Sequence, residues 1–159
     1  MMKAEPQKEH QWLEKLVGEW TYESEAPMEP GQPPSKFTGT ESVRSLGGVW
    51  TMGEGRGDGE DGGTTIMTLG YDPAKQRFVG TFIGSMMTYL WIYEGELDPS
   101  GKVLTLDAEG PSFVGEGKMA RYKDRIEIKS DDHRVLTSNY LGDDGEWHEF
   151  MTAHYYRKK

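Results

Sequence analysis

At 159 residues the chain is long enough for one domain with a single core, and its 27 acidic and 18 basic residues give a formal charge of -9. This charge repels phosphate backbones and anionic lipid headgroups, so nucleic acid is not an expected partner. With no cysteine, the chain has no disulfide, no thiolate nucleophile and no cysteine-bound zinc. The sequence shows neither a signal-peptide pattern nor a run of ~20 apolar residues, which favours a cytoplasmic protein without membrane insertion.

Residues 6–17 carry the helical pattern of the sequence. Pro6 suits a first helical turn, and apolar residues recur at one-turn spacing along one face as far as Val17. Gly18 then ends the helix. We predict a short N-terminal helix that covers one end of the structure that follows.

After Gly18 the period changes to two. Apolar or aromatic residues alternate with polar ones, which is typical of strands with one buried face, and glycines mark the ends of the segments. The predicted strands are 19–25, 37–46, 49–56, 64–71, 77–84, 88–97, 102–108, 116–129, 133–141 and 147–157.

The connections between these strands are short turns. Residues 46–49, LGGV, are a two-residue hairpin signal, because both glycines can take the positive φ of a type I′ turn. Parallel strands would need long crossovers, and none follows the helix, so the sheet is antiparallel. A meander of this length avoids two exposed edges when its first strand pairs with its last. We predict an all-β fold: a single closed, antiparallel, up-and-down β-barrel of about ten strands over residues 18–157, capped by helix 6–17, within one domain, 1–159.

Two stretches carry a resemblance to known families. Residues 18–20, GEW, match the G-x-W pattern that lipocalin-like barrels have on their first strand. Residues 68–106, TLGYDPAKQRFVGTFIGSMMTYLWIYEGELDPSGKVLTL, and the ending 151–159, MTAHYYRKK, resemble the bacterial family called domain of unknown function 1579. The resemblance implies a lipocalin-like barrel with no established activity. At Phe82 the family often has tryptophan and at Gly84 aspartate, so a catalytic carboxylate at position 84 is not implied for this chain.

The barrel interior is the main candidate site. Residues two apart on a strand share a face, and a barrel of about eight to ten strands either is filled by side chains or holds one small ligand. Aromatic and methionine side chains suit an adaptable apolar pocket. On the segment 88–97 the opposite face, with Leu90, Ile92 and Glu94, competes for the interior. The predicted lumen residues are Trp20, Tyr22, Met67, Leu69, Phe82, Tyr89, Trp91, Tyr93, Met151 and Tyr155.

The leading hypothesis is passive binding of a small, largely apolar molecule in this lumen, with no cofactor. One alternative is an enzyme acting on a small hydrophobic substrate, with an interior Tyr93 or Glu94 as the acid–base group. Another is a filled barrel that acts through its surface, for example as a homodimer.

A third alternative is a haem-binding barrel similar to nitrobindin. His148 and His154 share a face of the last predicted strand, and His154 is the better iron ligand. That face is opposite to the face of Met151 and Tyr155, so we expect both histidines to point to solvent. No other metal site is predicted.

Arg157, near the end of the chain, is expected to stack on Trp20. Lipocalin-like barrels often place a late arginine over the early tryptophan, where the guanidinium closes the end of the barrel. We predict a structural role for this contact.

Overall fold

The computed structural model describes residues 4–26, 33–112 and 117–158, which form one short helix followed by ten strands. Helix α1 spans Lys8–Glu14. The strands are β1 Gly18–Ala26, β2 Ser35–Leu46, β3 Trp50–Gly57, β4 Thr64–Asp72, β5 Arg77–Gly84, β6 Trp91–Leu97, β7 Val103–Pro111, β8 Met119–Ser130, β9 His133–Leu141 and β10 Trp147–Arg157.

The sheet closes on itself. Each strand pairs antiparallel with its sequence neighbours, and β1 also pairs with β10, in a register that sets Trp20 opposite Arg157. The predicted closed, up-and-down antiparallel barrel of ten strands is confirmed. The hairpin at residues 46–49 has the expected backbone, because Gly47 and Gly48 have φ values of 66° and 76°, the sign that a type I′ turn needs.

Helix α1 is shorter than its predicted span of 6–17. It begins after Gln7, whose backbone N–H donates to Nδ1 of His10 at 2.9 Å. Beyond Glu14 the chain continues in a tighter turn, in which the N–H of Val17 donates to the carbonyl of Glu14 at 3.1 Å. These i to i−3 bonds are of the 3₁₀ type, so the apolar pattern extends past the end of the α-helix.

The helix covers one end of the barrel, here called the capped end. Trp12 and Leu13 are 5% and 1% exposed, and Nε1 of Trp12 donates to the carbonyl of Gly101 at 2.7 Å. With its seven residues α1 is far shorter than a bilayer-spanning helix, and the described part of the chain contains no helix long and apolar enough for that. The core below α1 is formed by Leu16, Trp20, Val43, Leu69, Phe78, Leu104, Leu106 and Ile126, all at most 6% exposed.

The opposite end, where β1 leads to β2 and β5 to β6, is here called the open end. Strand bounds differ from prediction there. β6 begins at Trp91, because residues 88–90 belong to the connection from β5, and β7 continues to Pro111. The strand predicted at 116–129 begins at Met119, and residue 116 lies outside the described residues. The apolar alternation therefore predicts a longer β6 and a shorter β7 than the structure has.

Candidate ligand-binding site

Strand β6 presents its aromatic face to the lumen. Trp91 pairs with Phe82 of β5, and Tyr93 is 5% exposed. Leu90 and Ile92, on the competing face, are 51% and 62% exposed. Alternation along the strand therefore places the rings inside.

Glu94 lies on the outer face with Ile92. Its carboxylate accepts a hydrogen bond from Nζ of Lys75 at 3.0 Å, and both side chains are exposed. Because residues two apart share a face, Glu94 cannot act inside the barrel beside Tyr93. The interior carboxyl of the enzyme hypothesis must come from another residue.

The predicted lumen residues separate by depth. Trp20, Leu69 and Tyr93 are almost fully buried, with exposures of 1%, 2% and 5%. Other members are only half-buried although they belong to inward positions. These are Tyr22, Met67, Phe82, Trp91, Met151 and Tyr155.

Three rings that the sequence analysis did not name continue the wall at the open end. Trp91 meets Tyr122 edge-to-face, with centroids 5.0 Å apart. Tyr122 lies 6.1 Å from Phe150, and Phe150 lies 5.9 Å from Tyr140. These are favourable separations for aromatic pairs. We call the set Trp91, Tyr122, Tyr140 and Phe150 the aromatic wall.

A β-bulge in β10 explains the position of Phe150. The register against β9 shifts within residues 149–151, and an extra residue at a bulge interrupts the strict alternation of faces. His148 consequently pairs with Tyr140, and the two rings stack at 5.2 Å. The expectation that His148 shares the outward face of His154 is wrong, because alternation restarts at the bulge.

The wall of the barrel is incomplete between β6 and β7. Their ladder covers only Glu94–Leu97 of β6, so residues 91–93 lie beyond its end. The Trp91 indole packs into this space, where a Cβ on Gly110 of β7 would collide with it. An outer groove of about 600 Å³ runs along this gap between β6 and β7, which is here called the seam. Outward Ile92 and inward Tyr122 both line the groove.

Tyr89 stands beside the seam and precedes β6. Its hydroxyl donates to the carbonyl of Glu109 at 3.0 Å, and its ring lies 5.1 Å from Trp91 in an edge-to-face contact. Tyr89 therefore borders the lumen through Trp91 and satisfies a backbone acceptor of β7.

A hydrogen-bonded polar group lies below the aromatic wall. The hydroxyl of Tyr93 donates to Oδ2 of Asp124 at 2.5 Å, and Ser138, which faces Asp124 from β9, also hydrogen-bonds the carboxyl. Burial raises the pKa of Asp124 although these hydrogen bonds act to lower it. Burial first, and then the neighbouring Asp124 carboxyl, raise the pKa of Tyr93 well above its usual value.

A buried ion pair lies deeper in the lumen. Arg134 of β9 pairs with Glu41 of β2, and their side chains are 5% and 13% exposed. The guanidinium carbon of Arg134 lies 4.0 Å from the centroid of Tyr155 and 4.7 Å from that of Trp20. An unpaired ion is costly to bury, so Glu41 and the two ring faces stabilise the buried guanidinium of Arg134.

The capped half of the lumen has little free space. Arg134 and Glu41 line an interior cavity of about 30 Å³, which has room for one or two waters. Nε of Arg134 has no hydrogen-bond partner among the described residues. The capped half therefore has no room for an organic ligand.

Tyr22 and Tyr155 connect the two depths. They face each other on β1 and β10, with ring centroids 5.4 Å apart. Burial is the main cause that raises the pKa of each hydroxyl, and the Glu41 carboxylate adds to it in both. Both phenols therefore remain protonated hydrogen-bonding groups at neutral pH.

Arg157 lies over the capped end of the lumen. Its guanidinium carbon is 4.3 Å from the Trp20 centroid, while Nη1 donates to the carbonyl of Val17 at 2.7 Å and Nη2 to that of Lys15 at 3.1 Å. Gly18 has a φ of 137°, and a Cβ there would collide with Nη1 of Arg157. The contact with Trp20 is present, and its closing role stays a prediction.

His154 lies on the outer face of β10. It pairs with Val135, and its Nδ1 is 3.0 Å from Nε2 of His133. Its ring therefore faces away from the lumen, so an iron ligand for haem inside the barrel would have to come from another residue. Over residues 4–26, 33–112 and 117–158, no three His, Cys, Asp or Glu side chains are grouped to hold a metal ion.

Four polar residues that face the lumen were missed by sequence reasoning: Glu41, Asp124, Arg134 and Ser138. The signal was present in the alternation, since Asp124 stands two residues from Tyr122 and from Ile126 on β8. In the sequence, a charged residue at an inward position looks like an interruption of the apolar alternation, because its partners on other strands are not known.

Comparison with known proteins adds the family. Among solved structures, the chain is similar to Rv2717c from M. tuberculosis, with a TM-score of 0.65 and 13% identity over 98% of this chain and 100% of that chain. It is also similar to EF1p2_mFAP2b bound to DFHBI, with a TM-score of 0.44 and 15% identity over 94% and 98% of the two chains. Comparison with curated protein sequences gives no match. The model of the family described as "Protein of unknown function (DUF1579)" matches residues 5–157, and the chain belongs to this family.

Proposed function

We propose that the protein binds a small, largely apolar molecule in the open half of its barrel and does not transform it. The observation that carries this proposal is the change in burial along one inward face. On β5, Phe78 is 2% exposed, whereas Phe82, two inward positions nearer the open end, is only half-buried. Large apolar side chains that face inward yet remain half-exposed are what a ligand cavity presents.

The lining favours an adaptable apolar ligand. Trp91, Phe82 and Tyr22 offer ring faces, and Met67 and Met151 offer flexible thioethers that fill irregular space. Beneath them, Asp124 and its hydroxyl partners can bind a polar group at one end of the ligand. A molecule with an apolar body and one polar end fits this arrangement.

Native mass spectrometry of the purified protein and titration with Nile red, a neutral solvatochromic dye, test the proposal. We expect a bound species or saturable dye binding, and we expect Trp91→Ala to weaken it. Ile92→Ala, on the outer face of the same strand, is the matched control and should leave binding unchanged. Non-saturable titration, or equal effects of the two variants, would contradict a site in the lumen.

A second candidate is acid–base catalysis on a bound carbonyl compound. It is favoured by the contact between Tyr93 and Asp124, at 2.5 Å in the interior, because burial shifts the pKa of the carboxyl toward the range that proton transfer needs. The carboxylate would take a proton from the carbon next to the carbonyl and return it. Solvent deuterium incorporation into an enolisable ketone, lost in Asp124→Asn and kept in Asp107→Asn, would favour catalysis over passive binding.

A further inference from the structure

We infer that the ligand of the open half carries a protonated amine, which pairs with the carboxylate of Asp124. This inference rests on the proposed ligand site and adds the charge of the ligand's polar end. It follows from the hydrogen-bond and ion-pair partners of the charged lumen residues, from the net charge of the lumen and from the rings around Asp124.

Asp124 has hydrogen-bond donors and no counter-ion. Its partners Tyr93 and Ser138 are neutral hydroxyls. The interior cation, Arg134, is already paired with Glu41. Within the described ranges, no lysine, arginine or histidine nitrogen lies within 4.0 Å of an Asp124 carboxylate oxygen. The carboxylate is therefore desolvated without a compensating charge, which is an unfavourable arrangement until a cation arrives.

The charges of the lumen select against an anionic ligand. Glu41 and Arg134 neutralise each other, so the ionised Asp124 leaves the polar group negative. The formal charge of the whole chain, -9, has the same sign. A carboxylate ligand would be repelled, and a neutral ligand would gain hydrogen bonds only. An ammonium group gains both a hydrogen bond and the charge compensation that Asp124 lacks.

The surrounding rings suit a cation as well. Tyr93 contacts the carboxyl directly, and Tyr122, two residues before Asp124 on the inward face of β8, meets Trp91 edge-to-face. Aromatic faces attract ammonium groups, and the attraction is stronger in a desolvated site. Arg134 already uses this interaction with Tyr155 in the same lumen. An amine at Asp124 would thus lie between a carboxylate and aromatic faces.

Three probes with one apolar body test the inference: 4-phenylbutylamine, 4-phenylbutanamide and 4-phenylbutanoate, each measured by calorimetry and by displacement of Nile red. We expect the amine to bind about tenfold or more tightly than the amide. The carboxylate should bind weakest. An amide or carboxylate that binds as tightly as the amine would overturn the inference.

The variant Asp124→Asn separates this carboxylate from general electrostatics. It keeps the shape and the acceptor oxygen, and it should remove the preference for the amine while leaving amide binding in place. Asp107→Asn removes the same charge on the outer face of the neighbouring strand and should keep the preference. If the amine preference survives Asp124→Asn or is lost in Asp107→Asn, Asp124 is not the partner.

The pH dependence in the unmodified protein gives a test that needs no variant. An alkylamine stays protonated below about pH 10, so a fall in amine affinity on acidification reports protonation of a protein group. Among the described residues, the titratable groups that interact with Asp124 are Tyr93 and Tyr155, which stay protonated because their own pKa values are raised. Burial raises the pKa of Asp124, so the loss should begin at higher pH than for an exposed aspartate. An affinity that is flat with pH would overturn the inference.

The outcomes also separate this inference from the proposed function. Amide binding that Trp91→Ala abolishes, with no advantage for the amine, would keep the apolar site and overturn the amine. If none of the three probes and no Nile red bind, the proposed site itself fails, and the amine inference fails with it.

Discussion

The two halves of the barrel use the same inward alternation for different purposes. In the capped half, Trp20, Phe78, Leu104 and Leu106 are at most 2% exposed and leave a cavity of about 30 Å³. In the open half, several inward side chains, among them Tyr22, Met67, Phe82 and Met151, are only half-buried. The contrast indicates that the capped half supplies most of the packing that keeps the barrel folded, and the proposed function assigns the ligand to the open half.

The halves meet at a layer of buried polar residues. A barrel designed only for stability would place apolar residues here, because buried ion pairs rarely improve on well-packed apolar side chains. Glu41, Arg134 and Asp124 stand at this boundary instead. Under the proposed function, this position is where a ligand's polar end would be recognised.

The largest expected effect compares two phenylalanines on the same face of β5. Phe78→Ala should lower the free energy of unfolding by about 3–5 kcal/mol, because it opens a cavity in a close-packed core. Phe82→Ala should cost clearly less, since solvent already reaches that ring and can fill the space. Urea unfolding of the two variants measures the difference. Equal losses would mean that the open half is packed like the capped half, and they would contradict the division.

The next effect concerns the buried polar residues where the two halves meet. Arg134→Met should destabilise the protein by about 3–5 kcal/mol, because Glu41 is left buried without its partner. The double variant Glu41→Met with Arg134→Met should regain most of this loss, since no unpaired charge remains. Urea unfolding of both variants checks the prediction. A double variant as unstable as the single one would show that the pair, rather than the orphaned carboxylate, determines the cost.

The sequence predicted the barrel because its signals are local. Alternation, the glycine pair at residues 46–49 and the short turns each act within one or two strands, and closure follows once a meander must hide its edges. These features do not depend on which distant strand a given residue faces.

The site was less predictable because its chemistry is non-local. Asp124 meets Tyr93 from two strands away, and Glu41 meets Arg134 across β1 and β10. Nothing in the neighbourhood of either carboxylate along the chain distinguishes it from a solvated one. The bulge within residues 149–151 had the same effect on His148, because one extra residue reverses the parity of everything before it.

Acidification should act on Asp124 in a direction opposite to that of most carboxylates. Its pKa is raised by burial, so the folded state binds the proton more readily than the unfolded state. This group therefore destabilises the fold above its raised pKa, and the destabilisation is relieved as pH falls through that value. The melting temperature of Asp124→Asn, relative to wild type, should be highest at neutral pH and should decline on acidification.

The matched control for this titration is Asp107→Asn, on the outer face. Its melting temperature relative to wild type should change less with pH over the same range, because an exposed carboxylate loses little hydration on folding. If the melting-temperature differences of the two variants changed with pH in the same way, the pH effect could not be assigned to the buried Asp124. Working with differences also cancels the opposite contribution of Asp98 and Asp144, whose pKa values are lowered by their hydrogen bonds.

The smallest effect is local and compares the two ends of a single strand pair. Amides that face across the seam in residues 91–93 and 108–110 lie beyond the β6–β7 ladder, whereas those of residues 94–97 lie within it. Hydrogen exchange followed by NMR should therefore show weaker protection at the seam, because local opening there breaks fewer backbone bonds. Saturating ligand should slow exchange at residues 91–93 and leave residues 94–97 unchanged, since Trp91 contributes to the proposed site. Uniform protection along β6 would mean that the open half is as rigid as the capped half, and that the half-exposed rings belong to a closed surface rather than to a lumen that a ligand can enter.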